Sequence, residues 1–162
     1  MKFKKVDIAD AEELSALATS IVREHYDPIL GSQQNDYMLE KFQSPSSIKD
    51  QITHGISYYF VCDDRENNIG FMAFYPRNSE LYLSKFYLLS SHRGRGISKQ
   101  MLSFIISEAK KINASSITLN VNKNNTLAIN VYEKLNFHRI RAEKIDIGSG
   151  YFMDDYVYEY LI

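Results

Sequence analysis

Apolar residues recur at helical spacing in the first third of the chain. Five of them share one face of a predicted first helix: Leu14, Leu17, Ala18, Ile21 and Val22. This helix is expected to reach about His25, because Pro28 and Gly31 then interrupt the pattern. Two shorter helices are predicted over 33–42 and over 46–55, with Pro45 between them and Ser46 or Ser47 as the cap of the second.

The pattern then changes to extended runs separated by polar turns. Strands are predicted over residues 3–8, 56–62, 69–75 and 80–89. A long amphipathic helix over 97–112 follows, then a strand over 117–121, a short helix over 127–135, and a terminal hairpin of 137–147 and 151–161. An antiparallel meander followed by β-α-β predicts an α/β fold, with a mixed, mostly antiparallel central sheet and helices on both faces.

Composition narrows the class of protein. A length of 162 residues, with no repeat or linker, predicts a single domain over 1–162. The formal net charge of −1 argues against nucleic acid or an anionic membrane as a partner. The lone Cys62 lies in an apolar run and is expected to be a buried, inert thiol. No signal peptide or membrane span is apparent, so we expect a cytoplasmic protein.

A glycine-rich segment joins the strand that ends at residue 89 to the long helix. Its sequence is Arg93-Gly94-Arg95-Gly96. Glycine lets the backbone approach an anion closely, and the amides of a helix N-terminus together with arginines supply positive potential. By itself the segment is equally compatible with an ordinary turn that opens a helix.

A second segment about thirty residues later decides between these two interpretations. It begins at Asn125, contains Ala128 and Tyr132, and ends with Asn136 and Phe137. Its spacing resembles the pattern N-x-x-A-x-x-x-Y-x-x-x-G-F, with Asn136 in place of glycine, and asparagine is the next best residue for a positive φ.

Together the two segments resemble the GCN5-related N-acetyltransferase (GNAT) superfamily, whose phosphate loop reads [Q/R]-x-x-G-x-[G/A]. Ser98 stands where that loop usually has glycine or alanine, which predicts a crowded but intact loop. The terminal segment 146–156 is similar to the PaiA-like bacterial branch, for which the resemblance implies acetylation of polyamines or other small amines.

The resemblance implies acetyl-CoA as cosubstrate and assigns it a set of residues. Backbone groups of Leu88 and Leu89 would pair with the pantetheine amides, and the strands on either side would splay to admit the arm. Asn125 would bond the other side of the arm, and Lys134 could meet the ribose phosphate, although a solvated lysine is the alternative. The pyrophosphate would be held by the loop residues Arg93, Gly94, Arg95, Gly96, Ile97 and Ser98.

Acetyl transfer to an ammonium group needs a proton acceptor and a proton donor. Tyr132 stands at the family position of the acid that protonates the leaving thiolate, and its ordinary pKa of about 10 lies close to the ~8.5 of a thiol. The alternative is that Tyr132 is a core aromatic. Glu80, at the start of the strand leading to the loop, is the candidate base, and a solvated strand-end carboxylate is its alternative. Strand alternation alone does not say which face of that strand lines the cleft.

A cationic substrate would need carboxylates near the thioester. Asp154 and Asp155 are adjacent in a predicted strand and therefore point to opposite faces, so one of them is expected to be solvated or paired. Asp36 and Tyr37, between the first helices, are further candidates. The four histidines show no metal spacing, so no metal site is predicted.

The sequence therefore predicts direct transfer of an acetyl group to a small primary amine in a ternary complex. Two alternatives remain at this point: a non-catalytic module that senses acyl-CoA, against which the retained Tyr132 argues, and a protein or peptide N-acetyltransferase. The terminal strand offers an edge through which a homodimer is expected to pair.

Overall fold

The computed structural model describes all 162 residues. They form two compact units: unit 1 contains Met1–Tyr75 and Lys85–Ile97, and unit 2 contains Pro76–Ser84 and Ser98–Ile162. The single domain expected over 1–162 stays a prediction.

Unit 1 combines three helices with an antiparallel meander. Its elements are β1 (Lys2–Lys5), α1 (Ala11–Leu30), α2 (Ser32–Gln43), α3 (Pro45–Thr53), β2 (Ser57–Cys62), most of β3 (Asn68–Arg77) and the second half of β4 (Glu80–Leu88). β1 pairs with β2, and β2 with β3, both antiparallel. Its core contains α1 residues such as Leu14 and Ile21 with Phe60 of β2 and Phe71 of β3.

Unit 2 contains the first half of β4 and the rest of the chain. Its other elements are α4 (Ile97–Lys111), β5 (Ser116–Asn122), α5 (Thr126–Lys134), β6 (His138–Gly148) and β7 (Tyr151–Leu161). β4 runs parallel to β5, whereas β5–β7 and β7–β6 are antiparallel. β4 belongs to both units. The order of hydrogen-bonded strands is β1-β2-β3-β4-β5-β7-β6. The predicted mixed, mostly antiparallel sheet is confirmed.

Two prolines lie inside helices, whereas the sequence predicted that each would interrupt or separate helices. α1 does not end near His25 but continues through Pro28 to Leu30, because a proline in the last turn removes only one hydrogen bond of the helix. The helix ends at Gly31, whose φ is 83°. Pro45 is the first residue of α3, and the cap is Ser44, whose hydroxyl accepts a hydrogen bond from the Ser47 amide at 3.2 Å.

Two predictions about single residues are confirmed. Asn136 adopts a left-handed conformation, with φ at 69°, at the end of α5. Cys62 is buried, and its thiol donates a hydrogen bond to Asn68 Oδ1 at 3.2 Å. None of the helices has the length and apolar character that crossing a membrane requires.

Candidate active site

The glycine-rich loop follows β4 through a single turn of 3₁₀ helix, over Ser90–His92. The Leu89 amide donates to the Ile69 carbonyl at 2.8 Å, which fixes the chain where it leaves the strand. The Arg93 guanidinium donates to the Leu88 carbonyl at 3.3 Å. The loop is therefore anchored at its start by backbone of β3 and β4.

Both glycines of the loop are required by their backbone conformation. Gly94 and Gly96 each have φ near +76°, a region that residues with a Cβ rarely adopt. A Cβ built at either position meets nothing within 4 Å, so the space beside the glycines is open. Arg93 and Arg95 are exposed, and α4 begins at Ile97 directly afterwards. An open, positively charged turn at the start of a helix fits a phosphate group.

The parallel pairing of β4 with β5 is short. Its register comprises the three pairs from Glu80–Ser116 to Tyr82–Thr118. Both strands continue past this register, β4 to Leu88 and β5 to Asn122. Strand backbone without a partner strand on that side is what a pantetheine arm can pair with.

Asn125 is buried and caps α5. Its Oδ1 accepts a hydrogen bond from the Ala128 amide at 3.2 Å, and its own amide donates to the Asn122 carbonyl at 2.9 Å. Only 2% of Asn125 is exposed. A buried, well-held asparagine between β5 and α5 fixes the direction of the helix that carries Tyr132.

Tyr132 lies on the buried side of α5. Its ring centroid is 5.7 Å from that of Phe137, edge to face, and its carbonyl accepts from the Phe137 amide at 3.0 Å. Lys134, in the last turn of the same helix, is exposed and borders a shallow hollow with Asn130 and Glu133. The ring of Tyr132 is thus held in place, whereas the Lys134 ammonium is in solvent.

Glu80 has an ion-pair partner in unit 2. Its Oε1 lies 3.0 Å from Arg77 Nη2 and 3.2 Å from Arg77 Nε. The same guanidinium lies over the ring of Tyr82, with 4.0 Å to the ring centroid. The Glu80 carboxylate therefore already has a cationic partner, and its role as the base stays a prediction.

A polar network crosses four strands of unit 2, β4, β5, β6 and β7. The Tyr82 hydroxyl donates to Asn120 Oδ1 at 2.9 Å. The amide nitrogen of Asn120 lies 3.0 Å from Glu143 Oε1 and 3.4 Å from Asp155 Oδ2. Burial raises the pKa of Asp155 to about 6, and the nearby Glu143 and Asp154 charges act in the same direction.

The two adjacent aspartates of β7 have different surroundings, as the sequence predicted. Asp155 is 5% exposed, whereas half of the Asp154 side chain is exposed and pairs with Lys123 at 2.9 Å. Asp155 is the buried member of the pair. Asp36, the other acidic candidate, is exposed and forms an ion pair with Arg23.

The structure singles out a residue for which the sequence predicted no role. Lys85 of β4 lies in unit 1 between Ser84 and Phe86, and burial lowers its pKa to about 8. The only signal in the sequence is a lysine within a mostly apolar and aromatic strand. No group of three or more His, Cys, Asp or Glu side chains could hold a metal ion.

An open, positively charged turn before α4, a short β4–β5 register and a capped helix with a buried tyrosine are features expected of a CoA-dependent acyltransferase. The profile of the acetyltransferase (GNAT) family matches residues 20–137. The chain belongs to this family of N-acetyltransferases, whose cosubstrate is acetyl-CoA.

Solved structures show the same fold at low sequence identity. The PaiA N-acetyltransferase of Thermoplasma acidophilum, in complex with coenzyme A, is 20% identical over 99% of this chain and 98% of its own, with a TM-score of 0.82. Arabidopsis thaliana NAA60, in complex with a bisubstrate analogue, is 18% identical over 99% of this chain and 97% of its own, with a TM-score of 0.71. The dodecameric spermidine N-acetyltransferase of Vibrio cholerae is 17% identical over 99% of this chain and 92% of its own, with a TM-score of 0.66. A comparison with curated protein sequences gave no significant match.

Proposed function

We propose that this protein transfers the acetyl group of acetyl-CoA to the primary amine of a small molecule, by direct attack in a ternary complex. The observation that carries the proposal is the pair of left-handed glycines, Gly94 and Gly96, with open space beside them immediately before α4. This conformation leaves backbone amides accessible to a pyrophosphate.

The residues for CoA are those that the family resemblance assigns. Arg93 to Ser98 hold the pyrophosphate, and the backbone of Leu88 and Leu89 pairs with the pantetheine arm. Asn125, buried at the start of α5, bonds the arm from its other side, and Lys134 meets the ribose phosphate. The open turn and the short β4–β5 register support these assignments.

Tyr132 is the proton donor for the leaving thiolate. Its fixed, largely buried ring supports this role, because general acid catalysis depends on the position of the proton. Glu80 is one candidate for the proton acceptor, and it would have to act from within its ion pair with Arg77.

A polyamine or a similar small amine is the acceptor that the proposal favours. The supporting observations are the similarity to the PaiA and spermidine N-acetyltransferase structures and the buried carboxylate of Asp155. A peptide is the second candidate, since NAA60 and a ribosomal-protein-alanine N-acetyltransferase share the fold at 18% and 17% identity.

Thermal-shift and turnover assays separate these functions. Acetyl-CoA is expected to raise the melting temperature of the protein. With spermidine as the acceptor, free CoA thiol is expected to form faster than with lysine or any member of a peptide panel. No stabilisation by acetyl-CoA contradicts the proposal as a whole. Stabilisation without thiol release on any amine favours a sensor, and release on peptides alone favours the peptide acetyltransferase.

A homodimer is also proposed, with a different pairing strand from the one expected. The terminal strand β7 lies between β5 and β6 and offers no free edge, so the prediction for that strand is wrong and β6 is the pairing strand. β6 is the last strand in the order and exposes Ile140 and Ile145. Sedimentation velocity on the full chain tests this arrangement, and a monomer at all concentrations contradicts it.

A further inference from the structure

Two carboxylates face each other across β6 and β7 without a cation between them. Glu143 and Asp155 are direct partners in the antiparallel register, so their side chains lie on the same face of the strands. Like charges directly opposite each other destabilise a sheet. Both carboxylates instead converge on one neutral group, the amide nitrogen of Asn120.

The charges around Asp155 do not neutralise it. Asp154 of β7 and Glu143 of β6 add negative potential, and Lys123, in the loop after β5, is the cation that opposes them. The Lys123 ammonium lies 2.9 Å from the Asp154 carboxylate and over the Tyr156 ring. Arg141 of β6, two residues from Glu143 on the same face, is a further cation, and the neighbours Asn120 and Tyr82 are uncharged. Lys123 pairs with Asp154 rather than with Asp155, so the burial of Asp155 is not matched by a direct ion pair.

A buried hydroxyl on the same strand face has no partner. Thr118 is 2% exposed, and its Oγ1 makes no hydrogen bond. Residues 118 and 120 alternate to the same face of β5, so this hydroxyl points to the face that carries the Asn120 amide. In the register, Thr118 lies between Tyr82 and Glu159, one position along this face from the Asn120 amide that bonds the acid pair. An orphaned buried hydroxyl in this network is a place where a polar group from outside the chain can bond.

Asp155 also lies at the end of β5 from which the predicted catalytic segment departs. In the register it is the partner of Asn122, the last residue of β5. The Asn122 carbonyl accepts the hydrogen bond of the Asn125 amide, and Asn125 caps the helix of Tyr132. The turn is tied to β7 at the neighbouring position, where the Lys123 amide donates to the Asp154 carbonyl at 3.1 Å.

We propose that Asp155 is the catalytic residue that binds the incoming ammonium group and accepts its proton, with Glu143 and Asn120 as the residues that position and tune it. This inference rests on the proposed function and names its proton acceptor and its substrate class, a cationic amine.

The proton balance of the reaction is complete with these groups. The ammonium gives one proton to the Asp155 carboxylate, and the amine nitrogen then forms a bond to the thioester carbonyl carbon. The C–S bond breaks, and the thiolate takes a proton from the Tyr132 hydroxyl. Tyr132 regains a proton from the acetylated nitrogen, and Asp155 releases its own to solvent. The products are the N-acetyl amine, the free thiol of CoA and one proton.

The test is the pH dependence of kcat/KM with spermidine and acetyl-CoA. The wild-type protein is expected to lose activity as the pH falls through about 6, where Asp155 becomes protonated. Asp155→Asn should lower kcat/KM at least about 100-fold at pH 7, the lower range for general base catalysis, and should abolish this acid limb. Its deficit should shrink as the pH rises, because solution then supplies the neutral amine.

Glu143→Gln gives a second test that keeps the carboxylate of Asp155. Removing the like charge lowers the pKa of Asp155, so the acid limb of the profile should move to lower pH. Glu159→Gln is the matched control, a carboxylate on the same face of β7, and should leave the limb in place. Binding of spermidine to the CoA complex, measured by calorimetry, should weaken at least tenfold in Asp155→Asn and not in the control.

The outcomes distinguish this inference from the function on which it rests. Acetyl transfer that persists in Asp155→Asn with its acid limb unchanged overturns the role of Asp155 and leaves the acetyltransferase intact. An acid limb that stays in place in Glu143→Gln does the same, even where Asp155→Asn fails to fold. Failure of the wild-type protein to bind acetyl-CoA or to acetylate any amine overturns both.

Discussion

Arg77 Nη2 lies 3.0 Å from Glu80 Oε1, and the same guanidinium covers the ring of Tyr82 at 4.0 Å. The pair forms at the turn between β3 and β4, three residues apart in sequence. It gives Glu80 a structural role at the amino end of β4. Asp155 is instead the partner of Asn122 at the carboxyl end of β5, and the Asn122 carbonyl accepts a hydrogen bond from the amide of the predicted CoA residue Asn125.

The first prediction concerns Glu80→Gln. Loss of this partly exposed ion pair is expected to cost less than about 1 kcal/mol in the free energy of unfolding, measured by urea denaturation. The acid limb of the pH–rate profile should remain where it is in the wild-type protein. Disappearance of that limb would return the base role to Glu80 and contradict the assignment to Asp155.

The second prediction concerns Tyr132→Phe. The variant keeps the ring that packs against Phe137 and removes only the hydroxyl, so acetyl-CoA binding should stay within a few-fold of wild type. Turnover should fall by about 100-fold, the lower range for loss of a general acid. Calorimetry with acetyl-CoA and steady-state kinetics give the two values. A large loss of binding would mean that the hydroxyl is structural.

The helices, strands and two signature segments could be predicted from sequence, because periodicity and glycine placement are local properties. Asn136 is an instance, since its left-handed φ of 69° follows from its position after a short amphipathic helix. Pro28 is the counterexample. A proline in a helix interior disrupts the helix, whereas Pro28 lies in the last turn of α1, where it is tolerated. The helix ends at Gly31 instead, and the pattern of apolar residues did not indicate this end.

The partners of the acidic residues could not be predicted from sequence, since strand register decides them. The alternation of Asp154 and Asp155 was apparent, and their opposite environments followed from it. The pairing of Asp155 with Glu143, twelve residues earlier in the hairpin, depends on the irregularity of the β6–β7 register at 146–148, between the hairpin turn and this pair. A shift of one residue would have placed Glu143 on the other face.

The third prediction concerns Gly96→Ala. The φ of +76° makes alanine unfavourable there by about 1 kcal/mol, although its Cβ would have open space. The loop is therefore expected to change conformation and to weaken acetyl-CoA binding at least about fivefold, the factor that this energy gives. Gly55→Ala, with φ of +98° and equally open space, is the matched control and should lower stability without changing affinity. Equal affinity in the two variants would contradict the phosphate-binding role.

The last prediction concerns the pH dependence of stability in Asp155→Asn. The pKa of Asp155 is raised from 3.8 to about 6 in the folded protein, so the native state binds this proton more tightly than the unfolded chain does. The stabilisation from that proton is complete below pH 3.8 and is lost as the pH rises through about 6. Above pH 6, the buried charge costs up to about 3 kcal/mol.

Asparagine carries no such charge, so Asp155→Asn should be more stable than wild type at pH 8 by about 1 to 3 kcal/mol, and this gain should vanish near pH 4. Urea denaturation at pH 4, 6 and 8 measures it, with Glu159→Gln as a control that gains nothing. A variant that is more stable and less active has the trade-off typical of a functional residue. Lower stability at pH 8 would show instead that the Asp155 charge is compensated in the folded protein, and that its carboxylate holds the sheet together.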